Sequence, residues 1–192
     1  MIFEIFIIAI IIIVIKNIII PKLSIKHAGN YGEYVATNII KKVLNKDDYL
    51  LRNIKISYND KTTELDNVIV NKYGVFIIEV KNYKGKLCGN EDDYTWKKYK
   101  DDGYGNIFEK EVKNPIKQVK RQVYILAKYL KDYNVWIEGY IYLIEGNSPV
   151  QNEYVLKSID DINKAIHTSN KNHLNKQKIE DIIDTLSNKD KR

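Results

Sequence analysis

Three charged side chains lie in or beside two apolar runs near the middle of the chain, where a buried strand pair would ordinarily carry none. Asp66 directly precedes the run Asn67–Val70, and Glu79 and Lys81 close the run that begins at Val75. Desolvating a carboxylate or an ammonium group costs several kcal/mol unless the group is paired or coordinated. Two carboxylates beside a lysine can hold a divalent cation and a reactive water molecule, so this spacing indicates metal-dependent hydrolysis of a phosphodiester.

The short connection between the two apolar runs predicts a β-hairpin, and its length sets the strand register. If Asn71 pairs with Gly74, then Asp66 lies directly opposite Glu79, with the two Cβ atoms about 5 Å apart. Lys81 is two residues further along and therefore points to the same face. A bulge at the glycine would slip the register by one residue and separate these groups. The predicted site therefore depends on the pairing at this turn.

Each of the three groups has a chemical role in such a site. Carboxylate oxygens of Asp66 and Glu79 are the hard ligands that Mg²⁺ or Mn²⁺ prefers, so the expected cofactor is one of these cations. Lys81 could orient or deprotonate the attacking water, or stabilise the charge that develops on the phosphoryl oxygens. The alternative is a structural glutamate–lysine pair that points to solvent at the end of a strand.

A helix is predicted before this hairpin, because apolar residues from Val35 to Leu44 recur at three- and four-residue steps. Glu33 falls at the margin of the apolar stripe, in the first turn. An acid in that position complements the helix dipole, so the residues alone favour a structural role for Glu33.

A second helix is predicted after the hairpin, with Asn114 as its N-cap and Pro115 in its first position. Apolar residues from Ile116 to Leu130 again recur at helical spacing, so one face should pack on the sheet. Three polar residues lie beside that stripe: Gln118, Arg121 and Gln122.

The order of these motifs resembles the NERD domain, the nuclease-related domain of the PD-(D/E)XK nuclease-like superfamily. The resemblance covers about Gly29 to Ile144. The segments that carry it are Gly32-Glu33, Glu64-Leu65-Asp66, the strand GVFIIEVKNYKG that begins at Gly74, and the segment NPIKQ that begins at Asn114.

This resemblance implies a fold and a set of site residues. The fold is α/β, a restriction-endonuclease-like αβββαβ core with a mixed central sheet flanked by helices. Glu33 and Asp66 would join Glu79 around the metal, Lys81 would serve the attacking water, and Gln118 would lie at the edge of the site.

Composition agrees with an anionic partner. The formal net charge is +6 and the isoelectric point is about 9.1, which suits nucleic acid, although an AT-rich coding sequence also enriches Lys, Asn, Ile and Tyr. Basic and aromatic residues alternate in a predicted hairpin between residues 92 and 108, and this pattern fits either a nucleic-acid contact or an ordinary solvated hairpin. The residues expected to contact nucleic acid, with DNA favoured over RNA, are Lys84, Lys97, Lys98, Lys117 and Arg121.

The amino-terminal segment predicts a transmembrane helix. Residues 2–20 are apolar except for Glu4, Lys16 and Asn17, and as a helix they would span roughly 28 Å. A cleaved signal peptide requires a basic amino-terminal region and a small-residue cleavage site, and neither is present. Because lysines follow the segment, the positive-inside rule predicts a single-pass protein whose soluble part lies in the cytoplasm. The single cysteine, which excludes an intrachain disulfide, agrees with that compartment.

The predicted organisation is therefore an anchor (1–21), a linker (22–30), a nuclease-like domain (31–145), a C-terminal extension packed on the domain (146–187) and a frayed tail (188–192). The predicted function is a membrane-anchored, Mg²⁺-dependent nuclease. The alternative is a catalytically inactive module that binds nucleic acid or a partner at the membrane. Oligomeric state is left open.

Overall fold

A computed structural model describes residues 7, 10–146 and 148–187 of the 192-residue chain. A π-helical turn at Ile15–Ile19 leads into the first helix. The elements follow in chain order: α1 (Ile20–Val43), β1 (Tyr49–Tyr58), β2 (Lys61–Asn71), β3 (Gly74–Lys81), β4 (Lys86–Cys88), β5 (Thr95–Asp101), β6 (Ile107–Lys113), α2 (Pro115–Tyr129), a 3₁₀ turn (Lys131–Tyr133), β7 (Ile137–Leu143), β8 (Val155–Leu156), α3 (Ile159–His167) and α4 (Lys176–Ser187).

The central sheet has five strands in the order β1-β2-β3-β7-β8. The first three are antiparallel neighbours, whereas β7 runs parallel to β3 and β8 runs parallel to β7. The connection from β3 to the parallel strand β7 carries α2, as a parallel crossover requires. The predicted mixed α/β class, with a mixed sheet flanked by helices, is confirmed. A separate three-stranded sheet, β4-β5-β6, is inserted between β3 and α2.

Helices cover both faces of the central sheet, which explains why β2 and β3 read as nearly continuous apolar runs. On one face α2 and α4 pack against Val75 and Ile77 of β3, and on the other α1 and α3 pack against Phe76 and Ile78. Burying one such side chain contributes about 1.5–3 kcal/mol. Glu79 continues the alternation of Val75 and Ile77, so it points toward α2.

The amino-terminal region differs from the sequence expectation in one respect. The predicted linker at 22–30 is helical, because α1 begins at Ile20 and runs unbroken to Val43, with the proline in its first turn where no backbone N–H is needed. Part of the predicted membrane segment, residues 1–6, 8 and 9, lies outside the described residues. Within the described ranges, no helix is both long and apolar enough to cross a bilayer.

The C-terminal extension packs on the domain through Ile162 and Ile166 of α3 and several apolar residues of α4. Ser158 and Asp161 form a capping box at the start of α3. The predicted frayed tail, 188–192, lies outside the described residues.

Candidate active site

Glu79 is a buried carboxylate at the carboxyl end of β3, only 3% exposed. Its Oε1 accepts hydrogen bonds from Lys81 Nζ at 2.7 Å and from Gln118 Nε2 at 2.5 Å. Its Oε2 accepts a hydrogen bond from Gln122 Nε2 at 2.6 Å. A buried carboxylate is tolerated only when charge and hydrogen bonds compensate its lost hydration, and these three donors provide that compensation.

The start of α2 is fixed by Asn114, which sets where the two glutamines point. Asn114 Oδ1 accepts a hydrogen bond from the backbone N–H of Ile116 at 2.9 Å, which is the predicted N-cap. Its Nδ2 lies within hydrogen-bonding distance of three carbonyl oxygens in the turn before β5, those of Asn90, Glu91 and Asp93. With the helix held in this way, Gln118 and Gln122, four residues apart, present their amides to the same carboxylate.

Gln122 is a site residue that the sequence prediction left out. The signal for it was the four-residue spacing from Gln118 on the sheet-facing side of α2. Gln122 Nε2 also donates to the carbonyl oxygen of Glu64 at 3.0 Å, so the side chain links β2, β3 and α2.

The predicted register of the hairpin is confirmed over five pairs, from Asn71 opposite Gly74 to Asn67 opposite Ile78. Asp66 and Glu79 occupy the next positions, where the ladder ends. There Asp66 Oδ2 accepts the backbone N–H of Val80 at 2.8 Å. A side-chain carboxylate thus replaces a backbone carbonyl as the acceptor for this N–H, at the point where β2 separates from β3.

Strand β1, which pairs with β2, also departs from regular strand geometry at the position opposite Asp66. Asn53, which faces Asp66, has a left-handed φ of 51°, and the β1–β2 ladder omits this pair. Leu65 and Val68, three residues apart on β2, both contribute to the core beneath α2. The regular alternation of faces therefore shifts by one residue at Asp66. The shift lies at Asp66, one of the carboxylates of the candidate site.

Burial and mutual repulsion govern the protonation of Asp66. Burial raises the pKa of this carboxyl, and the negative charge of Glu79 raises it further, to about 7; the hydrogen bond from Val80 and the charge of Lys81 act in the opposite direction. For Lys81, burial lowers the pKa, but the charge and hydrogen bond of Glu79 outweigh it, and the pKa is raised overall. Asp66 therefore holds a proton more readily than a free carboxyl does, while Lys81 stays protonated.

Glu33 enters the same cleft from α1. Burial raises the pKa of its carboxyl, and the charges of Glu64 and Glu79 raise it further. The Thr37 hydroxyl lies 2.8 Å from the carbonyl oxygen of Glu33 and 3.1 Å from Asn67 Oδ1, which ties this turn of α1 to β2.

A cleft of about 660 Å³ brings the predicted carboxylates Glu33, Asp66 and Glu79 together with Lys81. Of the residues predicted to bind nucleic acid, Lys84 and Lys98 line it. Two further lysines line it that the sequence prediction did not include, Lys100 and Lys110. The two-residue alternation of faces along β5 and β6 is the sequence signal that would have identified them.

The other three basic residues predicted to bind nucleic acid do not line the cleft. Lys97 lies on the outer face of its strand and pairs with Glu109 at 2.8 Å. Lys117 Nζ donates to the carbonyl oxygen of Asp92 at 2.7 Å. Arg121 is exposed on α2.

The donor set suits Mg²⁺ or Mn²⁺ bound with few protein ligands. Among the described residues, no group of three or more His, Cys, Asp or Glu side chains is arranged to hold a metal ion. Mg²⁺ is commonly held by one or two carboxylates, with water and substrate phosphate completing its coordination. Asp66 and Glu79 fit that pattern, because a cation bound by both would offset the repulsion from Glu79 that helps to raise the pKa of Asp66.

Comparison with known proteins identifies the family of this chain. Residues 28–144 match the sequence model of the nuclease-related domain, NERD. An uncharacterised protein of Bacillus anthracis is 34% identical over 98 residues, which are 50% of this chain and 45% of that protein; the chain thus spans less than half the length of this relative. No solved structure matches significantly. Because the matched region covers more than half of the chain, the protein belongs to the NERD family, within the PD-(D/E)XK-like nuclease superfamily.

Proposed function

We propose that the protein is a Mg²⁺- or Mn²⁺-dependent nuclease that hydrolyses phosphodiester bonds, with DNA favoured over RNA. The observation that carries this proposal is the state of Glu79. It is buried, held by Lys81, Gln118 and Gln122, and adjacent to Asp66, whose pKa is raised to about 7. A buried carboxylate, Glu79, and a half-buried one, Asp66, that repel each other form a site that becomes more stable when a divalent cation binds.

In this proposal Asp66 and Glu79 hold the cation, and Glu33 lies at its margin. A bound Mg²⁺ or Mn²⁺ supplies a Lewis acid and lowers the pKa of a coordinated water. The raised pKa of Lys81 means that this side chain is cationic at neutral pH, so it orients the water and stabilises charge on the phosphoryl oxygens. The same property argues against a role for Lys81 as the general base. The amides of Gln118 and Gln122 keep the Glu79 carboxylate in one orientation.

The test is cleavage of labelled single- and double-stranded DNA and RNA by the detergent-solubilised full chain. We expect cutting with Mg²⁺ or Mn²⁺, no cutting with EDTA, and a rate at least about 100-fold lower for Glu79→Gln and Lys81→Ala, as for loss of a transition-state interaction. Glu109→Gln, on the outer face of β6, is the matched control and should cut at the wild-type rate. Cutting that survives Glu79→Gln would overturn the proposal.

A second candidate, binding of nucleic acid without cleavage, is favoured by one observation. Both carboxylate oxygens of Glu79 already accept hydrogen bonds from protein donors, so a cation must compete with them. This candidate predicts no cutting of any substrate, with affinity for nucleic acid that is the same in the wild type and in Glu79→Gln.

The membrane anchor is also a proposal, at residues 2–20. It is supported by the isoleucines among residues 10–20, all of which are exposed; Ile12 and Ile13, for example, are 56% and 57% exposed. A helix that is apolar all round is stable in lipid or buried in protein, and not in water. The protein should remain in the membrane fraction after an alkaline carbonate wash, and a variant without residues 2–20 should not. Release of the full chain by that wash would contradict an integral anchor.

A further inference from the structure

The hairpin β5–β6, residues 95–113, which we call the arm, has two chemically distinct faces. On its inner face Trp96 lies opposite Val112, and Lys98 lies opposite Lys110. Trp96 is fully buried in the core, and Val112 packs against the same cluster. The base of the arm therefore covers the domain, and its outer half presents lysines to the cleft that holds Glu79.

The charges on the inner face repel one another. Directly opposed like charges destabilise a strand pair, and Lys98 and Lys110 are such a pair. Burial lowers the pKa of Lys98, and the charges of Lys110 and Lys100 lower it further. Among the ion pairs between described residues, none involves these three lysines. On the outer face, by contrast, Lys97 is neutralised by Glu109.

An aromatic ring lies next to these lysines near the tip of the arm. Phe108 is directly opposite Lys100, on the inner face, and is 59% exposed. An exposed phenyl ring beside unneutralised lysines is the combination that binds single-stranded nucleic acid, where phosphates meet cations and unpaired bases stack on aromatic rings. A base-paired duplex keeps its base faces covered and offers no such stacking.

The root of the arm is held close to the carboxylates. Gly85 has φ +91°, and a Cβ at this position would lie 2.2 Å from the carbonyl oxygen of Tyr99. Only glycine allows the chain that leaves β3 to approach β5 so closely. This close approach fixes the position of the inner face of the arm relative to Glu79 and Lys81, which lie at the end of β3.

We propose that the inner face of the arm binds a single-stranded segment of nucleic acid, with Lys98, Lys100 and Lys110 on the phosphates and Phe108 stacked on an unpaired base. This inference rests on the proposed function and narrows it, because the substrate is then a single strand or a duplex with a single-stranded end.

Binding is measured by fluorescence anisotropy in EDTA, so that no strand is cut, with the full chain in detergent and labelled 20-nucleotide single strands or blunt duplexes. We expect the single strand to bind at least about tenfold more tightly than the duplex. Phe108→Ala should weaken single-strand binding about tenfold without changing its salt dependence, and Phe108→Tyr should restore it. Lys100→Ala should weaken binding and reduce the salt slope by about one phosphate contact.

Lys97→Ala is the matched control, since it removes the same charge from the same strand on the outer face, and it should bind nearly as the wild type does. Thermal melting verifies that each variant is folded. Equal affinity for single strands and duplexes would overturn the proposal, and so would equal effects of Lys97→Ala and Lys100→Ala. Displacement of the single strand by polyglutamate at equal charge concentration would overturn it too, because the arm would then be a surface for acidic polypeptides.

These outcomes are separable from those of the cleavage assay. Single-strand binding that depends on Phe108, with no cutting, supports the arm and contradicts the nuclease. Metal-dependent cutting with no effect of Phe108→Ala or Lys100→Ala on binding supports the nuclease and contradicts binding by the arm.

Discussion

The side-chain amide of Gln122 donates a hydrogen bond across the helix–sheet interface to the carboxylate of Glu79, with Nε2 2.6 Å from Oε2. Gln122 is only 1% exposed, and its remaining amide proton is directed to the carbonyl oxygen of Glu64. Its own Oε1 is a buried acceptor without a hydrogen-bond partner among the described residues. The orientation of Glu79 thus depends on a buried glutamine amide that contacts this carboxylate directly.

Replacing Gln122 should destabilise the fold. Gln122→Leu keeps the volume but leaves Glu79 Oε2 and the Glu64 carbonyl without their buried donor, at a cost of about 1–3 kcal/mol in the free energy of unfolding. Urea titration measures this cost. Gln177→Leu, on the exposed side of α4, should change stability by no more than about 0.5 kcal/mol. Equal effects of the two substitutions would mean that the amide does not support Glu79.

Protonation of Asp66 should make stability depend on pH. Its pKa is raised from 3.8 to about 7, first by burial and then by the charge of Glu79. The folded state therefore binds this proton more tightly than the unfolded state. The stabilising contribution is complete below pH 3.8 and is lost as the pH rises through about 7. The wild type should lose free energy of unfolding relative to Asp66→Asn over this interval, as measured by urea titration at each pH.

A divalent cation should reverse this loss, because it can take the place of the proton between Asp66 and Glu79. Mn²⁺ should raise the melting temperature of the wild type more at about pH 8 than at about pH 5. At the higher pH Asp66 is deprotonated, so no proton competes with Mn²⁺ for the site. Asp66→Asn should show little response at either pH. An equal response of wild type and variant would indicate that Mn²⁺ binds elsewhere.

A methyl group at Gly85 should displace the arm. The added Cβ would meet the carbonyl oxygen of Tyr99 at 2.2 Å, and the φ of +91° disfavours any other residue. Gly85→Ala should increase hydrogen exchange in β5 and β6 and weaken single-strand binding. Gly103→Ala is the matched control, because Gly103 also has a positive φ, +81°, but its Cβ would meet nothing within 4 Å. Similar exchange in both variants would show that backbone strain alone, and not the close approach, matters.

A methyl group at Gly32 should shift α1 and with it Glu33. The added Cβ would lie 2.7 Å from Cβ of Asn82, the residue that follows β3. Overpacking of this kind costs about 1–3 kcal/mol. Gly29→Ala, in the same helix with open space around it, should instead stabilise the protein by about 0.5–1 kcal/mol. Thermal or urea unfolding compares the two, and a stabilised Gly32→Ala would show that α1 has room to adjust.

Local chemistry in the sequence determined the hairpin that carries Glu79 and Lys81. The length of the turn between Asn71 and Gly74 sets the pairing of β2 with β3, and strand alternation then places Glu79 and Lys81 on one face. The caps Asn114 and Ser158 follow from equally local rules, because a capping side chain contacts a backbone N–H two or three residues away. All of these features depend on neighbours within a few residues.

Only the tertiary structure decided which distant side chains join that hairpin. The rotation of α2 about its axis, set by packing on the sheet, brings Gln122 and not Arg121 to Glu79. Burial of Trp96 decides that Lys98 and Lys100 face the cleft while Lys97 pairs with Glu109 outside it. Spacing along a strand or helix tells which residues share a face, but which face lies against the site depends on packing between elements far apart in the chain.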